Sequence, residues 1–312
     1  MKRIITIVLI ALAGVGLFAY PLVSNYLFVA HASTAAQDYS KFIDMVEEEK
    51  IEKALADAVT YNENLEGNPA HDPFLANSGT VMSENYAQML NLDGKGTMGY
   101  ISIPKIGVKL SIFHGTADET LQQGAGHLEG SSLPIGGVGT HTVITGHTGL
   151  VHAKMFTDLA KLVVNDVFYL HVLNKTLAYK VDKILTVLPE ETDELKRVQG
   201  QDYCTLVTCT PYGVNTHRLF VRGVRTAYSE KEEIAQAKNG GSGTEWLNEK
   251  STITGVKIGL AVFAATAVTA LALRKLSSRK RRDAQCLNTK SVGGARKNPP
   301  KSYWWQEVAD TG

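Results

Sequence analysis

A cysteine, a histidine and an arginine stand in contexts that suit acyl transfer. Cys209 ends the β-rich run Tyr203-Cys-Thr-Leu-Val-Thr-Cys209, and Arg218 opens the next one, followed by Leu219, Phe220 and Val221. Pro211, Gly213 and Asn215 supply turn chemistry between the two runs. A hairpin-like return of this kind puts Cys209 and Arg218 at the same end of neighbouring strands. A thiol is a nucleophile, and a fixed guanidinium stabilises oxyanion charge. Arg218 cannot deprotonate, and its planar fork holds position better than a lysine. Residue type alone leaves Arg218 open between this role and a purely structural one. Arg222 and Arg225, further along the same strand, read as surface charge.

A cysteine nucleophile also needs a group to handle protons, and nine histidines are available. His147 is set apart by Thr145-Gly-His-Thr-Gly149, a tight glycine-flanked turn directly after a strand-like run. That placement suits a side chain projecting into a cleft at the end of a barrel. His114, His127, His141, His152 and His171 have no comparable context, and strand alternation turns His217 away from Arg218. The spacing of His141, His147 and His152 matches no common zinc motif, so no metal and no cofactor are expected.

Thr205-Leu-Val-Thr-Cys209 resembles the TLxTC signature of sortases, the cysteine transpeptidases of Gram-positive cell surfaces. The continuation from Thr210 to Arg218 is most similar to the class C, pilin-polymerising branch. The resemblance covers residues 100–225, with a further fragment near Asp72. It implies an eight-stranded β-barrel and a catalytic set of Cys209, His147 and Arg218; Thr208, just before the cysteine, is placed for a supporting backbone or hydroxyl contact. The family histidine usually sits in Gly-His-Arg-Gly; Thr148 replaces that arginine here, so only contacts made by the arginine are in doubt. Asp72-Pro-Phe74 by itself reads as a turn with an exposed aromatic. In class C sortases a matching motif lies on a lid over the active site. Carried over, Asp72 pairs with Arg218 and Phe74 covers the Cys209 sulfur, so opening the loop becomes a gating step.

The implied reaction is cleavage of an LPxTG-like sorting motif between Thr and Gly through a Cys209 thioester. The acyl group then passes to a lysine amine of a pilin subunit. The expected partners are LPxTG-bearing pilins or surface proteins and the membrane, with no nucleic acid. Three competing readings remain: a sortase that anchors proteins to peptidoglycan, a catalytically silent membrane-tethered binding module, and a plain cysteine protease.

The rest of the chain must position and locate this set. Of 312 residues, 44% are hydrophobic and the net charge is +1. That average hides a split: residues 31–256 carry 19 basic and 28 acidic side chains, and residues 274–312 carry 10 and 3. An acidic middle before a basic tail suggests a membrane between them, with the positive end inside. Residues 4–30 contain no charge, enough to span a bilayer, although Pro21 and Asn25 are candidate ends of the span. Ala30-His-Ala32 offers a competing signal-peptide cleavage site. Residues 258–273 form a second apolar run, followed by the stop-transfer pattern Arg274-Lys-Leu-Ser-Ser-Arg-Lys-Arg-Arg282.

These signals divide the chain into a signal or anchor segment (1–32), helices and lid loop (33–96), a mainly β barrel (97–228), and a linker (229–252). A C-terminal transmembrane helix (253–273) and a basic cytoplasmic tail (274–312) complete it. The catalytic domain is expected outside the cell. Residues 40–64 have a 3.6-residue apolar period and read as one or two amphipathic helices, with Glu47, Glu48 and Glu49 solvated. Eight strands are expected near residues 100–103, 108–112, 141–144, 167–172, 177–181, 184–187, 206–207 and 219–224, and a short helix at 155–162. Three cysteines form no disulfide framework. Cys204 reads as a buried thiol on the strand face opposite Cys209, and Cys286 lies in the basic tail.

Overall fold

The computed structural model describes residues 2–65, 72–74, 84–150 and 153–239, with Ala272, Lys275, Ser278 and Arg279. All of the expected membrane helix at 253–273 except Ala272, most of the basic tail, Cys286 and His152 lie outside the described residues.

Eight strands close into a barrel in the order β1-β2-β3-β4-β7-β8-β6-β5. They are β1 (Thr97–Ile103), β2 (Val108–His114), β3 (Ala125–His127), β4 (Thr140–Thr145), β5 (Val167–Val172), β6 (Lys175–Val187), β7 (Asp202–Thr210) and β8 (His217–Thr226). β5 returns to β1, which leaves no open edge. The pairs β2–β3 and β4–β7 are parallel and the others antiparallel. The fold is thus the expected mainly β barrel with helices before it.

Two strand assignments differ from the sequence reading. Residues 177–181 and 184–187 belong to one strand, β6, whose register against β8 shifts between Val181 and Lys183. Polar Asp182 sits at that irregularity, where the alternation that marks a strand breaks. β3 is only Ala-Gly-His and has no β-branched signal, so residue propensity does not mark it as a strand. The helix expected at 155–162 is a turn followed by a single 3₁₀ turn at Leu159–Lys161. Its apolar residues Phe156, Leu159 and Leu162 are nevertheless buried.

The barrel strands divide their side chains between two apolar clusters. Ile144, Cys204, Leu206 and Val221 join the main core. Leu128, Val143, Leu195, Val207 and Phe220 form a second cluster, with Phe74, Leu185 and Val187 against it. Alternation along β4, β7 and β8 assigns neighbours to opposite clusters.

Before the barrel, α1 runs from Lys2 to Met45 and α2 from Glu48 to Glu63. α1 continues through Pro21 and Asn25, so neither ends it. Asn25 is buried and its Oδ1 accepts the Lys154 N–H at 2.8 Å, a partner supplied by the fold and invisible to a span-length argument. Further along, the Tyr39 hydroxyl donates to Met98 O and accepts from Leu173 N, both at 3.1 Å. Residues 12–45 are long and apolar enough to cross a membrane. Ile43, Ile51 and Ala58 face the main core, while Glu47, Glu48 and Glu49 are exposed, as the periodicity predicts.

After the barrel, the segment read as linker begins as a helix, α5 (Glu230–Asn239). Glu233 anchors it by accepting from His171 Nε2 at 2.9 Å and from the Tyr228 hydroxyl at 3.0 Å. One distant partner, His171, and one local partner, Tyr228, rather than apolar periodicity, hold the polar helix in place.

Candidate active site

The β7–β8 return forms as its residue types dictate. Pro211 follows β7 and cannot donate to the ladder, so the strand stops. Its carbonyl accepts the N–H groups of Val214 and Asn215 at 3.0 and 2.9 Å. Gly213 and Asn215 adopt positive φ, 74° and 60°, which these two residue types tolerate best. β8 then pairs antiparallel with β7, and Cys209 stands directly opposite Arg218. Opposed side chains on an antiparallel pair have Cβ atoms about 4.5–5.5 Å apart.

His147 follows the end of β4. Gly146 donates to Val207 O at 3.0 Å and so carries the β4–β7 contact one residue past the strand. A side chain at 146 is excluded, since a Cβ there would lie 2.7 Å from the Phe156 ring. The Thr208 hydroxyl donates to Gly146 O at 2.7 Å, and Phe156 N donates to His147 O at 3.0 Å. Thr208 thereby ties the strand that carries Cys209 to the turn that carries His147. The His147 Nε2 lies 3.3 Å from Asp118 Oδ1 but makes no hydrogen bond. Asp118, the exposed first residue of α4 (Asp118–Gln123), is a neighbour that sequence reading missed; nothing links it to His147 in the chain.

Asp72 and Phe74 meet this set. Asp72 is 2% exposed, and its carboxylate accepts from Arg218 Nε at 2.8 Å and from Arg218 Nη2 at 2.5 Å. Arg218 Nη1 donates to the carbonyls of Asn215 and His217, each at 3.1 Å. The bidentate pair fixes the plane of the guanidinium. The Phe74 ring lies 5.9 Å from the His147 ring and 5.2 Å from the Arg218 guanidinium carbon. Asp72 and Phe74 are thus placed beside Arg218 and His147, and the turn is not solvent-facing as residue type alone suggests.

The stems of this loop are pinned to the barrel. On the entry side, Arg197 donates to the carbonyls of Asn62 and Leu65, and Asn62 Oδ1 accepts from Leu133 N at 2.7 Å. On the exit side, α3 (Glu84–Gln88) carries Tyr86, whose hydroxyl accepts from Gly115 N at 3.1 Å. His114 reaches Met89 O at 2.7 Å and Gly96 O at 3.0 Å.

Three influences set the state of the thiol. Burial pushes the Cys209 thiol up, the Arg218 cation pulls it down, and the Asp72 carboxylate pushes it up again. Burial also works against the Arg218 charge, but its bonds to Asp72 and the nearby Cys209 hold it above its ordinary value. The docked carboxylate therefore offsets the help that Arg218 gives a thiolate.

The remaining candidates are structural. His141 is fully buried, with Nδ1 at 2.9 Å from Lys196 O and Nε2 at 2.7 Å from Thr205 Oγ1. Burial lowers it to about 4, so it is neutral at pH 7 and pegs the β6–β7 connection to the barrel. His127 is likewise buried, lowered by burial to about 4, and bonded to the Tyr86 hydroxyl and Ser132 O. Cys204 is fully buried in the main core, where burial pushes its thiol far up. Both free cysteines among the described residues sit on β7, and only Cys209 is partly open to solvent.

Comparison with known proteins agrees with this architecture. The Sortase domain family matches residues 101–226. The crystal structure of sortase C-1 from Streptococcus pneumoniae is 46% identical, with a TM-score of 0.60 over 63% of this chain and 100% of that one. The pilus-related sortase C of Group B Streptococcus is 44% identical, with a TM-score of 0.58 over 62% of this chain and 97% of that one. Sortase A of Staphylococcus aureus is 27% identical over 221 residues, 69% of this chain and 90% of that protein. With a thiol facing a guanidinium, a histidine turn beside them and full coverage of a close relative, the chain belongs to the sortase family, in its class C branch, and is a cysteine transpeptidase.

Proposed function

We propose that this enzyme polymerises pilin subunits, with Cys209 as nucleophile, His147 as general acid and base, and Arg218 as oxyanion donor. The observation that carries the reading is the cross-strand pair Cys209–Arg218 with Asp72 docked on the guanidinium. The Cys209 thiolate attacks the carbonyl between Thr and Gly of an LPxTG-like motif. The tetrahedral oxygen takes hydrogen bonds from Arg218. The C–N bond breaks as His147 protonates the leaving glycine amine, which leaves an acyl-thioester on Cys209. A pilin lysine amine then attacks the thioester, His147 takes its proton, and Cys209 leaves as thiolate. Thr208 supports the set by holding the His147 turn against β7.

In the resting state, Nε and one Nη2 proton of Arg218 are committed to Asp72, so donors that an oxyanion needs are taken. Phe74 occupies space beside His147 that substrate needs. The segment around residues 72–74 is therefore a lid, and its opening frees the donors and clears the site. α1 and the expected second span tether the enzyme to the cell membrane, with the barrel outside and the basic tail in the cytoplasm. LPxTG-bearing pilins or surface proteins are the donors, and a pilin lysine is the acceptor.

The test is incubation of the full chain in detergent micelles with a candidate pilin, read as covalent ladders on a denaturing gel. The wild type yields ladders, and Cys209→Ala yields none and no thioester. Polymer retained without Cys209 overturns the scheme; thioester without ladders points to wall anchoring.

A further inference from the structure

Among the described residues, three buried side-chain polar atoms have no hydrogen-bond partner: Thr145 Oγ1, His147 Nε2 and Tyr169 Oη. Two of the three lie within one short stretch of the site. Native interiors satisfy most buried polar groups, so each exception calls for a physical cause. For His147 the cause is its role, since a proton-transfer group must be free to receive substrate. No catalytic step uses Thr145.

Thr145 is the last residue of β4 and is fully buried. Ile144 faces the main core and Val143 the second cluster, so alternation sends Thr145 to the second cluster's side. Its parallel partner across the ladder is Val207, a member of that cluster two residues before Cys209. The same cluster is what Phe74 packs against. Thr145 therefore lies on the side of the sheet that carries this cluster, level with Val207–Phe220 and two residues along from the Cys209–Arg218 pair. The apolar side chains on that side are Leu128, Val143, Leu195, Val207 and Phe220, and the polar His141 and Thr205 further along β4 and β7 are already bonded to each other. Valine has the shape of threonine, already serves at 143 and 207, and carries no hydroxyl to leave unpaired, so packing alone does not call for a hydroxyl here.

We propose that Thr145 is a substrate-binding residue whose hydroxyl hydrogen-bonds a polar group of the acyl-donor peptide once Phe74 has left this cluster. This rests on the reading of Cys209 as the acylated nucleophile. The apolar residues accept the aliphatic part of the sorting peptide, and the unpaired hydroxyl sets its register. With the register set, the scissile carbonyl arrives between Cys209 and Arg218. A site built around such a bond also discriminates against peptides that lack its partner.

The test compares the full-length wild type with Thr145→Val and Thr145→Ser, using a synthetic Leu-Pro-x-Thr-Gly peptide and mass detection of the thioester. Thr145→Val is expected to keep or raise the melting temperature, because it removes an unsatisfied hydroxyl. It is expected to leave iodoacetamide alkylation of Cys209 unchanged and to slow acylation by the peptide about tenfold. Thr145→Ser restores acylation. A second peptide with Val in place of its Thr identifies the partner: loss of the Thr145→Val penalty assigns the peptide hydroxyl, and persistence assigns its backbone. Wild-type acylation by Thr145→Val overturns the proposal, as does joint loss of melting temperature, alkylation and acylation. A wild type that alkylates normally but never acylates overturns the underlying reading, and this proposal with it.

Discussion

His141 and His147 lie six residues apart, one inside β4 and one just after it, yet their surroundings are opposite. Both ring nitrogens of His141 have close partners, Lys196 O and Thr205 Oγ1, and burial holds it neutral. The Nε2 of His147 has none, although Asp118 lies near. β7 repeats the contrast with its cysteines. Cys204 is sealed in the main core, while Cys209 faces the charged pair of Arg218 and Asp72. Within the histidine pair, the ring with both nitrogens bonded ties the β6–β7 connection to the barrel, and the ring with an unbonded Nε2 stands beside Phe74 at the Cys209–Arg218 end. Burial by itself does not separate the two kinds.

The sharpest way to break this comparison is to replace the site groups and the structural histidine one at a time. His147→Ala is expected to slow thioester formation by about 10²–10⁴-fold, and Arg218→Lys by about 10²–10³-fold. His141→Asn is expected to keep activity per folded molecule and to lose about 1–3 kcal/mol of stability. Thioester kinetics on one side and thermal melting on the other check both halves. Equal activity losses in His141→Asn and His147→Ala would erase the distinction.

Acid titration sharpens the structural half. His127 and His141 are held near 4, below their unfolded value of about 6.5. Between those limits the unfolded chain binds more protons than the folded one, so stability rises with pH there. It is complete above about 6.5 and declines towards about 4, by up to about 3 kcal/mol per histidine. Melting temperatures across pH 4–8 check this, and a flat profile would contradict it.

The sequence reading reached the Cys209–Arg218 juxtaposition because it is local. A β-rich run, a Pro-Gly-Asn turn and a second run need no tertiary information. His147 was legible for a related reason, since a histidine with glycine on both sides directly after a strand has to sit in a tight turn at the strand's end. Asp72 and Phe74 are legible only through resemblance, because three residues in a loop carry no signal of the distant arginine they meet. The rest depended on partners far away in the chain. β3 is held by its neighbours and not by propensity, α5 by Glu233, and the middle of α1 by Asn25. Thr145 stands within the histidine turn in the sequence, but the absence of a partner for its hydroxyl exists only in the folded chain.

The smallest effect expected is also the most direct test of the central contrast. Peptide-resolved alkylation with iodoacetamide across pH reports Cys204 and Cys209 in the same sample of full-length protein. In the wild type, Cys209 is expected to react slowly, with a midpoint above the ordinary thiol value, because burial and Asp72 outweigh Arg218. Cys204 is expected to stay unlabelled until the fold melts. Replacing Asp72 and Phe74 by Ala should lower the Cys209 midpoint and raise its rate several-fold, with no change at Cys204. An unchanged Cys209 midpoint and rate in that variant, or equal labelling of the two cysteines in the wild type, would contradict the account.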